Sequence, residues 1–222
     1  MKRYGLIGYP VAHSLSPMLF REKYGDDPVY ELIETPSFEE AWDRFMCGYD
    51  AVNVTMPFKT LAAAKADIKS PEVIRTGAAN LLVKTKGGIV AHNTDYMAVK
   101  SLLEEIITDT GASCATVVGT GGAGRAAAAA AEDCGLEVSA LHHDALAGGA
   151  ASDIIIYTLP SAVEGIGRLR CRHMIEANYR DPVLKGMDIR SDDGSPAGYT
   201  GGEEWLRRQA DTGFAIMTRQ DI

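Results

Sequence analysis

ATVVGTGGAGRAAAAAAEDCG, residues 115–135, is the stretch on which the fold turns. Its β-branched start reads as a strand, and the run Ala126–Ala131 that follows Arg125 reads as a helix, alanine being the best helix former. Between them Gly119, Gly121 and Gly124 stand at GxGxxG spacing. A tight turn requires the first glycine, close approach of a pyrophosphate the second, and close helix–strand packing the third. The helix start adds positive potential. In this context the motif favours dinucleotide binding over tight packing alone. The strand that follows, EVSAL, ends at His142, His143 and Asp144. An acidic residue at that place suits the ribose 2′-hydroxyl of NAD, and cations suit the 2′-phosphate of NADP. Two histidines ahead of the aspartate tilt the expectation toward NADP, with NAD left open.

Working outward, short β-rich runs alternate with helical stretches, the mark of an α/β protein with a mostly parallel sheet. Strands are expected at YGLIG, VYELIE, AVNVT, AANLLV, GIVAHN, ATVVG, EVSAL and DIIIYT. Helices are expected at PMLFREKY, SFEEAWDRFMC, YMAVKSLLEEII, Arg125–Glu132 and EEWLRRQA. Phe38, Trp42 and Phe45 share one helical face and read as core. HHDALAGGAAS leaves little room for a crossover helix between its strands, so the nucleotide-type unit is expected to be abbreviated. A domain boundary is expected near residues 94–112.

The 222 residues, 46% hydrophobic and 23% charged, describe an ordinary globular chain. A net charge of −8 argues against a nucleic-acid partner. No basic and apolar leader and no apolar run near ~18 residues is read, so the expectation is a cytoplasmic protein without a membrane span. The four cysteines show no CxxC pair and read as small apolar fillers. Adjacent His142 and His143 are a poor arrangement for one ion, so no metal site is expected.

The first half carries a second pattern. GYPVAHSLSP follows the first strand and offers Ser14 and Ser16, whose hydroxyls can both donate to one small anion. Alternatively, Ser16 and Pro17 form an N-cap and N1 pair for the next helix. NVTMPFK offers Asn53, Thr55 and Lys59; GAANLL offers Asn80; VAHNTDY offers Asn93, Thr94 and Asp95. Singly, each reads as a cap or a surface group. Together they put short polar side chains at four strand ends, where α/β proteins bind ligands.

These motifs, with the glycine turn and the late GGEEWLRRQA, occur in the order seen in shikimate dehydrogenases, and the chain resembles that family over nearly its entire length. The resemblance implies an N-terminal α/β substrate domain, residues 1–94, completed by a C-terminal helix over 200–222. It also implies a Rossmann-like NADP-binding domain over 95–199, with a cleft where the two meet. The implied activity is NADPH-dependent reduction of 3-dehydroshikimate to shikimate, a step of aromatic amino-acid biosynthesis. The implied substrate contacts are Ser14, Ser16, Thr55, Asn80, Asp95, Tyr179 (in ANYRDPVL) and Gln209. Lys59 and Asp95 are the implied catalytic pair. Gly119, Gly121, Gly122, Ala123, Gly124, His142, His143 and Gly202 are the implied cofactor contacts. The expected partner is the small-molecule substrate, for a monomer or homodimer. Departures from the family pattern fall mostly on the cofactor side: Tyr96 follows Asp95, Leu81 follows Asn80, Leu141–Asp144 replaces the usual 2′-phosphate grip, and Tyr157-Thr158-Leu159 closes the DIII strand. A quinate-active paralogue and a catalytically inactive ligand-binding regulator are the alternatives.

Overall fold

The structure is a computed structural model that describes residues 2–219; Met1 and residues 220–222 of the expected C-terminal helix lie outside the described residues. Chain contacts group Met1–Thr94 with Gln209–Ile222 in one unit and Asp95–Arg208 in a second.

The first unit contains β1 (Arg3–Gly8), α1 (Ser16–Tyr24), β2 (Val29–Glu34), α2 (Phe38–Gly48), β3 (Ala51–Val54), α3 (Lys59–Lys65), β4 (Ile68–Lys69), α4 (Pro71–Thr76), β5 (Leu81–Thr85) and β6 (Gly88–His92). Its six-stranded sheet has the order β2-β1-β3-β5-β6-β4. The sheet is mixed: β1 pairs parallel with β2 and β3, whereas β5 runs antiparallel to both β3 and β6. Helix α2 starts where the Ser37 hydroxyl accepts the Glu40 amide at 3.3 Å, a side-chain cap that satisfies one of the orphan donors of the first turn. Its apolar stripe is core as expected, with Phe38, Trp42 and Phe45 packed against Val52, Val54 and Phe58.

Helix α5 (Thr94–Thr110) leads into the second unit, which continues with β7 (Cys114–Val118), α6 (Gly122–Asp133), β8 (Glu137–Leu141), β9 (Ala150–Ala151), β10 (Ile154–Tyr157), β11 (Leu169–Arg170), β12 (His173–Glu176), β13 (Gly198–Thr200) and α7 (Gly202–Thr218). Strands β13-β12-β10-β7-β8 form one sheet in that order, parallel throughout. The crossover after β8 is a 3₁₀ turn over His143–Gly148. The alanine face of α6 lies in a core with Leu102, Leu103, Ile154 and Trp205. Trp205 places the first half of α7 with this unit, whereas Phe214, in its second half, packs edge-on against Phe20 of the first unit at 5.0 Å. The contact division thus cuts α7 between Arg208 and Gln209, nine residues beyond the expected boundary at 199/200.

Several elements differ from expectation. The strand expected over 78–83 is displaced to Leu81–Thr85, and α3, α4, β4, β9, β11, β12 and β13 have no counterpart among the expected elements. Ser16 is not an N-cap: α1 begins at Ser16 itself, Leu15 holds the cap position, and no side-chain hydrogen bond caps the helix. Cys47 is exposed rather than a filler, and Cys171 is buried. No helix among the described residues is long and apolar enough to cross a membrane.

Candidate functional site

Because β5 runs against its neighbours, its first residues lie at the same edge of the first sheet as the last residues of β1, β3 and β6. Asn80 therefore stands before a strand, not after one, yet reaches the edge that also receives Gly8, Asn53–Thr55 and Asn93–Thr94. Ser14 Oγ and Ser16 Oγ lie 3.2 Å apart, and the Ser16 amide donates to Ser14 Oγ at 3.2 Å. With no capping duty for Ser16, the two hydroxyls form a convergent pair.

A continuous polar line runs through this edge. Tyr30, with the Ser16 hydroxyl beside it, donates to Asn53 Oδ1 at 2.8 Å. Burial pushes the Tyr30 phenol above the ordinary tyrosine range, which keeps it a donor. Asn53 Nδ2 donates to the Asn80 carbonyl at 3.3 Å. Asn80 Oδ1 accepts the Thr94 amide at 2.7 Å, and its Nδ2 donates to Thr94 Oγ1 at 2.9 Å and to Gln209 Oε1 at 3.4 Å. Gln209 Oε1 also lies 3.2 Å from Thr94 Oγ1. Asn80 and Gln209 thus grip the residue that precedes Asp95. Tyr30 was missed in the sequence because its role depends on β2 lying beside β1.

Lys59 opens α3 and is half-buried, with its carbonyl accepting the Ala79 amide at 2.9 Å. Thr55 is half-buried at the end of β3, and its carbonyl accepts the Phe58 amide at 3.0 Å. Asp95, the first residue of the second unit, is buried in the first turn of α5. Beneath the Asn93–Thr94 segment, Asn93 Nδ2 donates to Thr76 Oγ1 and to the Ala78 carbonyl, each at 3.0 Å. Burial alone would raise the nearby Glu72 carboxyl; hydrogen bonds from His92, Ser70 and the backbone outweigh it and hold the group below its ordinary value.

In the second unit the glycine turn fits a phosphate-bearing cofactor. Gly119 has φ +110°, and a Cβ there would lie 2.3 Å from Thr158 Oγ1. A Cβ at Gly124 would lie 1.9 Å from the Gly119 carbonyl oxygen. At Gly121 a Cβ would meet nothing within 4 Å, and no side chain caps the helix that starts at Gly122 and Ala123. Packing explains two glycines; the third is left for approach by a group from outside the chain. The Gly119 amide donates to the Leu141 carbonyl at 2.9 Å, which ties the turn to the end of β8.

There Asp144 contacts His142 Nδ1 at 3.1 Å and His143 Nε2 at 2.9 Å, all three residues being exposed. Their ligand atoms lie within 4.8 Å of one another. The two rings therefore converge, contrary to the expectation from their adjacency. Tyr179 and Gly202 line one hollow of about 280 Å³ in this unit. Gly202 is required by packing, since a Cβ would lie 2.6 Å from the Asn178 backbone.

Residues 6–82 match the family model described as the shikimate dehydrogenase substrate binding domain. The shikimate dehydrogenase (NADP(+)) of Pyrococcus abyssi is 37% identical over 133 residues, 58% of this chain and 50% of that protein. The chain spans about half the length of the curated relatives it matches. The crystal structure of shikimate 5-dehydrogenase from Thermus thermophilus in complex with shikimate superposes with a TM-score of 0.81 at 26% identity, covering 98% of this chain and 93% of that one. The same enzyme in complex with NADP(H) and shikimate gives 0.79 at 26% identity, with 98% and 94% covered.

Proposed function

We propose that this chain, which is similar to shikimate dehydrogenases in sequence over residues 6–82 and in fold over nearly its whole length, belongs to that family and interconverts 3-dehydroshikimate and shikimate with NADP(H). The observation that carries the reading is the polar edge of the first sheet. Paired serines, Asn53, Asn80, Thr94 and Gln209 are joined by hydrogen bonds in the first unit, most of them within the segment that matches a substrate binding domain.

Ser14 and Ser16 donate to the substrate carboxylate, their hydroxyls being close enough to serve one anion. Tyr179 supplies a further contact to that carboxylate. Thr55 and Asn80 face the ring hydroxyls, and Asn80 with Gln209 also fixes Thr94 and hence the start of the helix that carries Asp95. Lys59 is assigned as the donor of a proton to the C3 oxygen as negative charge develops there, and Asp95 is assigned to a ring hydroxyl and as the second member of the catalytic pair.

The Gly119–Gly124 turn, with Gly122 and Ala123 at the helix start, is assigned to the pyrophosphate, His142 and His143 to the 2′-phosphate, and Gly202 to a further contact with the cofactor. When bound, NADPH supplies the hydride that makes the carbonyl carbon an alcohol carbon.

The test is spectrophotometric. Oxidation of NADPH on addition of 3-dehydroshikimate, and the reverse reaction with shikimate and NADP, is the expected outcome. Turnover with quinate alone contradicts the substrate assignment, and shikimate binding without turnover contradicts the enzyme reading.

A further inference from the structure

The second unit holds a buried carboxylate that the proposed reaction leaves unused. Glu176 ends β12 with 0% exposure. Its Oε1 accepts the Val183 amide at 2.5 Å, and its Oε2 accepts the Leu184 amide at 3.1 Å and the Tyr199 hydroxyl at 2.8 Å. The two amides belong to the segment that returns after β12, where no neighbouring strand receives them, and buried amides without acceptors are costly. A carboxylate presents acceptors on both oxygens; a carboxamide presents one acceptor and would turn an N–H toward another donor. Burial and donation to Glu176 push the Tyr199 phenol above the ordinary tyrosine range, so it remains a donor.

Asn178 fastens the same segment from its other end. Its Nδ2 donates to the Pro160 carbonyl at 2.9 Å and to the Asp181 carbonyl at 2.7 Å, and its Oδ1 accepts the Arg180 and Asp181 amides at 3.2 and 3.3 Å. Between these two fastenings lies Tyr179, half-buried on the wall of the hollow that Tyr199 and Gly202 also line.

We propose that Glu176 is a positioning residue: its carboxylate fixes the return segment through Val183, Leu184 and Tyr199, and so sets Tyr179 in place for a carboxylate-bearing substrate. This rests on the reading above that Tyr179 contacts that substrate. Glu176 touches neither substrate nor cofactor and acts through the segment alone.

The test compares wild type, Glu176→Gln and Tyr199→Phe by amide hydrogen exchange over residues 178–184 and by steady-state kinetics. Glu176→Gln is expected to speed exchange in that segment about tenfold and to raise KM for 3-dehydroshikimate about tenfold, with kcat and KM for NADPH within about twofold. Tyr199→Phe, which leaves both amides on Glu176, should move the same quantities less, and it carries the test if Glu176→Gln does not fold. Wild-type exchange in the segment, or a loss shared evenly by kcat and both KM values, overturns the proposal. If the wild type shows no turnover, the functional reading fails, while the exchange measurement still decides whether Glu176 holds the segment.

Discussion

Asn80 uses both ends of its amide inside the protein, taking the Thr94 amide on its oxygen and giving hydrogens to Thr94 and Gln209. Its presence among short polar groups was legible in the sequence, but its partners were not, because Gln209 lies 129 residues away. Ser14 and Ser16 were legible because their spacing alone brings the hydroxyls together. Tyr30 and Glu176 were not, since a tyrosine or glutamate in a strand gives no sign of which donors or acceptors the neighbouring strand will bring. His173 has a consequence that is read in solution. Burial lowers its pKa from 6.5, with Asp109 opposing, and its Nε2 lies 2.8 Å from Thr200 Oγ1. The unfolded chain therefore binds a proton at His173 at a pH where the folded chain does not, and stability rises with pH across that window. The contribution is complete above pH 6.5 and is lost as pH falls from there through the folded-state value. Denaturant midpoints measured across this range should fall on acidification, and His173→Gln should flatten the slope. Asp153, held below its ordinary value of 3.8 first by the Ser113 amide, loses its contribution only in stronger acid.

At the scale of elements, the strand–turn–helix over residues 114–133 is legible in type and order because β-branched residues, spaced glycines and alanines all point the same way, although the helix starts at Gly122, three residues before the expected Arg125. Its glycines make separable predictions. Gly124→Ala drives a methyl into the Gly119 carbonyl and should cost about 1–3 kcal/mol or more of stability by denaturant titration. Gly121→Ala meets nothing in the chain, so it should stay within ~0.5 kcal/mol of wild type while weakening NADPH in a binding titration. Equal destabilisation by both would contradict the division between packing and cofactor approach. The elements that escaped reading are short. Helix α4 has 6 residues, α3 has 7 and β12 has 4, too few for a periodicity to emerge. The mixed direction of the first sheet is not legible for another reason: a two-residue turn at Lys86–Gly87 joins β5 and β6 as an antiparallel hairpin, and the alternation of strands and helices points only to a mostly parallel sheet.

At the scale of the molecule, a chain of net charge −8 is proposed to take an anionic substrate and an anionic cofactor. Attraction must therefore be local, from Lys59, from hydroxyl and amide donors, and from the start of α6. The central claim is that Lys59, half-buried at the head of α3, does chemistry as well as binding. The direct measurement is steady-state kinetics of Lys59→Ala against wild type with 3-dehydroshikimate and NADPH. Loss of a positioned proton donor should lower kcat by about 10²–10⁴-fold while KM for 3-dehydroshikimate changes only a few-fold. An unchanged kcat, or a loss confined to KM, contradicts it.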